Sequence, residues 1–247
     1  MKALVKAKDE VGLVLSDVNV PKIGNDDVLI KVKTTAICGT DLHIWNWDKW
    51  ASSTIKPPMT VGHEFMGEVF EVGSNVKNFQ IGDRVSAESH ITGQNSRNAK
   101  AGKLHLDPET VNIGVDRDGA FAEFISVPAK NVVNLPDSIS DQIGSILDPF
   151  GNAVHATLSY DLVGEDVLVT GAGPIGIMSA AIAKYVGARK VLLTDINDHR
   201  LELAKKVCDI EILNPMKESL EEKMTDMGIK EGFDIGLEMS GSEQAID

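Results

Sequence analysis

DVLVTGAGPIG, residues 166–176, is the stretch on which the reading of this chain turns. Val167, Leu168 and Val169 are apolar β-formers that run straight into Gly171-x-Gly173-x-x-Gly176, and a small-residue helical pattern, IMSAAIAKYVGA, follows. The order is strand, tight turn, helix start. In such a unit the first glycine permits the turn, the second lets backbone approach a pyrophosphate and the third lets the helix pack closely, so a diphosphate rests on the helix N-terminus. Gly-x-Gly-x-x-Gly alone is a weak signal. Here a second apolar run, KVLLTD, ends at Asp195 about twenty residues beyond Gly176, where a carboxylate accepts hydrogen bonds from an adenosine ribose. An ordinary glycine-rich turn carries no such companions, so a dinucleotide site is expected.

A fingerprint in the middle of 247 residues leaves about 150 in front of it, and two domains are expected, 1–150 and 151–247. No window reaches the roughly eighteen consecutive apolar residues of a membrane span. The opening MKALVKAKDE lacks the apolar core of a signal peptide and reads as a first strand. Cys38 and Cys208 are the only cysteines and lie in different halves, which argues against a disulfide framework and for a reducing cytoplasm. A net charge of −13 disfavours nucleic acid and anionic membranes as partners, since both need a basic face.

The first 150 residues read as a β-rich domain of short strands: Val28 to Val32, Gly67 to Val72, Asp83 to Ser86 and Phe121 to Val127, separated by Pro, Gly, Asn and Asp breakers. This part also holds the residues that look like chemistry. Cys38 stands in AICGTDLH and His63-Glu64 in VGHEFMGEV, so a thiolate, an imidazole and a carboxylate occur on two segments, the ligand types of an open catalytic zinc site. Each alone has a plainer reading, a small buried cysteine or a satisfied His-Glu pair. Their company upstream of a dinucleotide fingerprint favours the metal.

Cys38-Gly39-Thr40-Asp41-x-His43, Gly62-His63-Glu64, Gly82-Asp83-Arg84-Val85 and Gly171 to Gly176, taken in that order, resemble the medium-chain zinc-dependent alcohol dehydrogenase family along essentially the whole chain. The resemblance implies an α/β chain: a GroES-like catalytic domain, then a Rossmann domain, with the active site in the cleft between them and a homo-oligomeric assembly. It implies Cys38, His63 and Glu64 as ligands of one zinc per chain, and NAD as cofactor through Gly171, Gly173, Ile175, Gly176, Asp195 and Arg200. Asp195 would repel a 2′-phosphate, and Ile196 stands where a basic residue would favour NADP. Thr40 and His43 would carry away the proton of the substrate alcohol. Asp148, in LDPFGN, matches a position near the metal, with a helix N-cap before Pro149 as the other reading. His90 is a candidate for the substrate pocket or a plain polar loop residue. Within the family, GTDLHIWNWDKW, SHITG, LDPFGNAVHA and GEDVLVTGAGPIGIMSAAIAK are most similar to members that oxidise threonine to 2-amino-3-oxobutanoate.

Two departures from the family stand out. Its second, structural zinc needs four lobe cysteines, and the matching positions hold Gly93, Ser96, Ala99 and Asp107, so no Cys₄ site is expected. Beyond Asp195, the helix HRLELAKKV, a strand from Ile210 to Leu213, a helix from Lys217 to Met227 and a strand from Phe233 to Glu238 are expected. The sequence then stops at Asp247, before the fifth and sixth strands of the order 3-2-1-4-5-6. If the 247 residues were the whole polypeptide, it would be expected to keep NAD binding better than hydride transfer and to expose the fourth strand as an edge. A polyol or 2,3-diol dehydrogenase shares every metal and cofactor residue. A degenerate chain that only binds nucleotide is the reading from outside the enzyme class.

Overall fold

The computed structural model describes residues 1–245, and the chain divides into two compact units, Met1–Asp148 and Pro149–Asp247. The first unit opens with β1 (Lys2–Lys6), β2 (Val14–Asp17) and β3 (Asp27–Thr35), followed by the helices α1 (Gly39–Asn46) and α2 (Lys49–Thr54). Next come β4 (Met59–Thr60), β5 (Phe65–Val72), β6 (Arg84–Ala87) and β7 (His90–Ile91). The unit continues with α3 (Arg97–Lys100), β8 (Val111–Asn112), β9 (Phe124–Pro128), β10 (Val132–Asn134) and α4 (Asp141–Gly144).

Its main sheet has the order β10-β6-β5-β3-β9, every pair antiparallel. Residues alternate across a strand, so β3 and β5 turn Val28, Ile30, Phe65 and Val69 into one core with Val85, Ile125 and Val127. The expected strand Phe121 to Val127 is corrected. Residues 121–123 bond to Leu4 and Lys2 of the small sheet β2-β1-β4 and to Val61 just past β4, while 124–128 pair with β3 and the Glu123 carbonyl accepts the Val32 N–H of β3. One β-favouring run thus serves two sheets, a division set by its neighbours rather than by its own residues. Asp83 to Ser86 is displaced by one residue in β6.

In the lobe, Ser96 caps α3 by accepting from the Ala99 N–H at 3.0 Å. The Asn98 side-chain amide donates to the Leu106 carbonyl at 2.6 Å, and buried Asp107 accepts the Glu109 N–H at 3.2 Å.

The second unit is wound around a parallel sheet. The elements are α5 (Leu147–Thr157), β11 (Asp166–Thr170), α6 (Pro174–Val186), β12 (Lys190–Thr194), α7 (Asp198–Val207), β13 (Glu211–Leu213), α8 (Leu220–Met227) and β14 (Ile235–Glu238). Strand order is β13-β12-β11-β14, the 3-2-1-4 half of a doubly wound sheet. Strands covered on both faces read as continuous apolar runs, and Val167, Val169, Leu192 and Leu193 are fully buried. Helix boundaries follow the caps: Asn197 accepts from His199 and Arg200, Ser219 from Glu222, and left-handed Gly187 and Gly228 close α6 and α8. The expected helix at Lys217 therefore starts at Leu220, and the fourth strand is shortened to Ile235–Glu238. No helix among the described residues is long and apolar enough to cross a membrane.

Candidate active site

Cys38 is the N-cap of α1, and Asp41, three residues on, completes a capping box with it. The Asp41 carboxylate accepts the Cys38 N–H at 2.9 Å through Oδ2. That bond fixes the backbone carrying the thiol. His63 and Glu64 arrive on the turn before β5, where Ala36 N–H donates to the Glu64 carbonyl at 3.0 Å and ties the two segments together. Cys38 Sγ, one His63 ring nitrogen and a Glu64 carboxylate oxygen all lie within 4.8 Å of one another, so the three form a group able to hold a metal ion. His63 and Glu64 are buried and Cys38 is half-buried.

The electrostatics of this group are those of a ligand set. Burial lowers the His63 imidazole, but the Cys38 side chain that hydrogen-bonds it and the charges of Asp41, Cys38 and Asp148 outweigh burial and raise its pKa to about 9. Burial pushes the Glu64 and Asp41 carboxyls above their ordinary values. His63 Nδ1 and Asp41 Oδ1 are both buried without a hydrogen-bond partner and face each other at 3.8 Å. A carboxylate aimed at the second nitrogen of a histidine is the outer shell that orients a metal-ligating imidazole, and Nε2 is then the nitrogen left for a metal. This observation tests the fit of zinc independently of the motif. Asp41 was missed as a functional residue in the sequence, although its place three residues after a cap position is a legible capping-box signal.

Thr40 is half-buried in the first turn of α1 and His43 is exposed one turn later. His43 Nδ1 lies 2.5 Å from Asp48 Oδ2, and its ring stands edge-on to Trp50 with centroids 6.0 Å apart. Asp48 also caps α2 by accepting the Ala51 N–H at 2.9 Å. Asp148 is not a helix cap: α5 starts one residue earlier, at Leu147, and Asp148 sits in its first turn, where a negative charge suits the helix dipole. Its Oδ1 accepts the Ser89 hydroxyl at 2.6 Å. His90 begins β7 rather than a loop, and the Glu88 carboxylate accepts both its backbone N–H (3.0 Å) and its Nδ1–H (2.6 Å). Glu88, His90 and Asp148 place ligand-type atoms within 4.8 Å of one another, a second cluster that includes two of the expected site residues.

In the second unit the three glycines have distinct surroundings. Gly171 has φ +95°, and a Cβ on it would lie 2.6 Å from Ser240 N. A Cβ on Gly176 would lie 1.8 Å from Gly171 O, so the helix start is pressed onto the turn. A Cβ on Gly173 would meet nothing within 4 Å among the described residues beyond its chain neighbours and its own helix. Gly173 is the N-cap of α6, with Pro174 behind it and no side chain bonded to the free N–H groups, which leaves an open anion site at a helix N-terminus. Ile175 is half-buried in that first turn. Asp195 directly follows β12 and accepts the Ala172 N–H at 2.7 Å and the Asn197 N–H at 2.8 Å, with Arg200 3.8 Å away. A carboxylate has about four acceptor positions, so two backbone bonds leave capacity for a ribose.

The alcohol dehydrogenase GroES-like domain matches residues 24–137, and the zinc-binding dehydrogenase domain matches residues 174–247. The L-threonine 3-dehydrogenase of Shewanella loihica is 58% identical over 246 residues, covering 100% of this chain and 72% of that protein's length. A Sinorhizobium meliloti protein described as a zinc-binding dehydrogenase, solved bound to NADP, superposes with a TM-score of 0.91 at 28% identity, covering 100% of this chain and 71% of that one. The 2R,3R-butanediol dehydrogenase of Bacillus subtilis superposes with a TM-score of 0.86 at 30% identity, covering 99% of this chain and 73% of that one. These likenesses are to enzymes, which sets aside a degenerate chain that only binds nucleotide. The chain belongs to the zinc-dependent medium-chain alcohol dehydrogenase family.

Proposed function

We propose that this protein oxidises L-threonine at its C3 hydroxyl to 2-amino-3-oxobutanoate, with zinc held by Cys38, His63 and Glu64 and with NAD on the Gly171–Gly176 turn. The observation that carries the chemistry is the thiolate, imidazole and carboxylate set within 4.8 Å, backed by the buried Asp41 carboxylate. The substrate comes from the 58% identity to a named L-threonine 3-dehydrogenase. Zinc supplies Lewis acidity toward the substrate hydroxyl, and NAD supplies the hydride acceptor.

The chain's own residues do the rest. Asp41 orients His63 and pins the Cys38 backbone, so two of the three ligands are preset by one carboxylate. Thr40 would relay the hydroxyl proton, accepting it while giving up its own toward exposed His43, which, steadied by Asp48, would release a proton to solvent. Asp148 and His90 border the substrate, each held by a neighbour, Ser89 and Glu88 respectively. Gly173 leaves room for the pyrophosphate, while Asp195 and Arg200 stand at the adenosine ribose and favour NAD over NADP.

A polyol or 2,3-diol substrate is the second reading, favoured by the likeness to the B. subtilis butanediol dehydrogenase. Zinc analysis with NAD-coupled turnover of threonine, sorbitol and 2,3-butanediol separates them. Threonine is expected to give the highest kcat/KM, and preference for a diol would overturn the assignment.

A further inference from the structure

Lys6 is among the largest fully buried side chains of the described residues, at 0% exposure, and it is basic. Burying an ammonium is costly unless its donors are all met. Three acceptors meet three donors here: Glu10 O at 2.5 Å, Gly12 O at 3.1 Å and Trp45 O at 3.4 Å. The fourth side is closed by the Trp47 ring, whose centroid is 4.8 Å from Nζ. Burial pulls the Lys6 pKa below the ordinary lysine value, with the Glu10 and Asp9 charges acting in the opposite sense. Among the described residues no carboxylate bonds the ammonium. Its partners are backbone carbonyls and an aromatic face.

Two of those partners, Glu10 and Gly12, belong to the loop between β1 and β2, and the other two, Trp45 and Trp47, to the end of α1. Trp45 O belongs to the helix's C-terminal carbonyls, which carry partial negative charge and lack partners within the helix. The same oxygen accepts the Gly12 N–H at 2.7 Å, so Lys6 and the loop it anchors grip one helix end together. Trp47, the C-cap, adopts a left-handed conformation at φ 53°, the one non-glycine residue with positive φ among the described residues. A bulky side chain rarely adopts that conformation without tertiary support, and a cation packed on the indole is such support. Trp47 N–H donates back to the carbonyls of His43 and Ile44, and Asp48, next in sequence, holds the His43 ring. At the other end of the same helix stand Cys38 and Thr40.

We propose that Lys6 is a positioning residue for the proton path: its buried ammonium locks the C-terminal end of α1 and so sets the places of Thr40 and His43. The inference rests on the proton-carrying roles proposed for those two residues. Lys6 touches neither substrate nor cofactor and acts only through the helix.

Lys6→Met keeps the length and apolar stem of the side chain while removing its charge and donors. In the zinc- and NAD-loaded protein, kcat for threonine is expected to fall about 10-fold to 100-fold, the scale of a small misplacement of a reacting group. Threonine KM and the NAD dissociation constant should stay within about twofold. Amide exchange at Trp47 and Asp48 should accelerate while the β3 and β5 amides keep their protection. Unchanged exchange at those two amides would overturn the positioning, and faster exchange with unchanged kcat would overturn its consequence for the reaction. Trp47→Leu removes the ring while leaving the ammonium, and is expected to show the same split more weakly. If Lys6→Met cannot be purified folded, unchanged kcat in Trp47→Leu refutes the proposal. His43→Asn separates the two layers: unchanged turnover there sinks the proton-path reading itself, while the exchange result still decides what Lys6 holds.

Discussion

Asp41→Asn is the most informative perturbation of the proposed zinc site, because it removes one interaction and spares another. The asparagine carbonyl can still accept the Cys38 N–H that Asp41 now accepts at 2.9 Å, so the start of α1 survives. What disappears is the negative charge facing His63 Nδ1 at 3.8 Å. Full charges at that distance in a medium of effective dielectric about 20 attract by about 4 kcal/mol, which is the ceiling for a protonated imidazole. A neutral, metal-ligating imidazole presents only an N–H dipole. Loss of such an outer-shell partner weakens metal affinity by about 10-fold to 100-fold, or about 1.4–2.7 kcal/mol.

A second effect opposes the first. Asp41 is among the groups that raise His63 to about 9 in the metal-free protein, so near neutral pH a proton competes with zinc for the ring. Removing Asp41 relieves part of that competition. The loss of affinity is therefore expected to be largest above pH 9, where wild-type His63 is already neutral, and smaller near pH 7. Competition against a chromophoric chelator at both pH values, with circular dichroism to confirm the fold, measures this. Equal zinc affinity of variant and wild type above pH 9 would refute the argument that Asp41 orients a metal ligand.

Cys38→Ser should lose most of its zinc, and full retention by metal analysis would exclude the thiolate as a ligand. His63 gives the metal-free protein a pH dependence whose sign follows from its raised pKa: the stabilisation is complete below the ordinary value near 6.5 and is lost as pH rises through about 9. Loading zinc near pH 7.5 should release the proton that His63 holds below about 9, and calorimetry in buffers of different ionisation enthalpy that finds none would contradict this. Gly173→Ala should leave thermal stability unchanged yet weaken NAD at least about tenfold, since its Cβ enters open space before the α6 N-terminus. Gly176→Ala should lower the melting temperature, because its Cβ would meet Gly171 O at 1.8 Å. Wild-type NAD affinity in Gly173→Ala would mean that the pyrophosphate lies elsewhere.

Features set by adjacent residues were legible in the sequence. The strand-turn-helix of residues 166–186 could be read because positive φ at Gly171, the cap at Gly173 and the packing at Gly176 are each a local demand that glycine meets. That β11 to β14 are parallel followed from apolar runs alternating with helical patterns, since parallel strands need such crossovers, while their order came from the fold the resemblance implied. Cys38, His63 and Glu64 could be named from their residue types and motif, but not brought together by them. Their convergence depends on the bond from Ala36 to Glu64 and on the pairing of β3 with β5.

Tertiary structure alone decided which groups support them. Asp41 meets His63, Ser89 meets Asp148 across 59 residues, and Lys6 meets Trp45 across 39, and no local propensity or periodicity reports such distances. Residues 121–128 have uniform β character in sequence, yet Phe121 bonds to Leu4 of the small sheet, 124–128 pair with β3 of the main sheet, and Glu123 bonds to both. Propensity is a property of a residue and its neighbours in the chain. Partner choice is a property of register and burial, settled only when every strand competes for the same hydrogen bonds and every polar group must find a partner or remain in water.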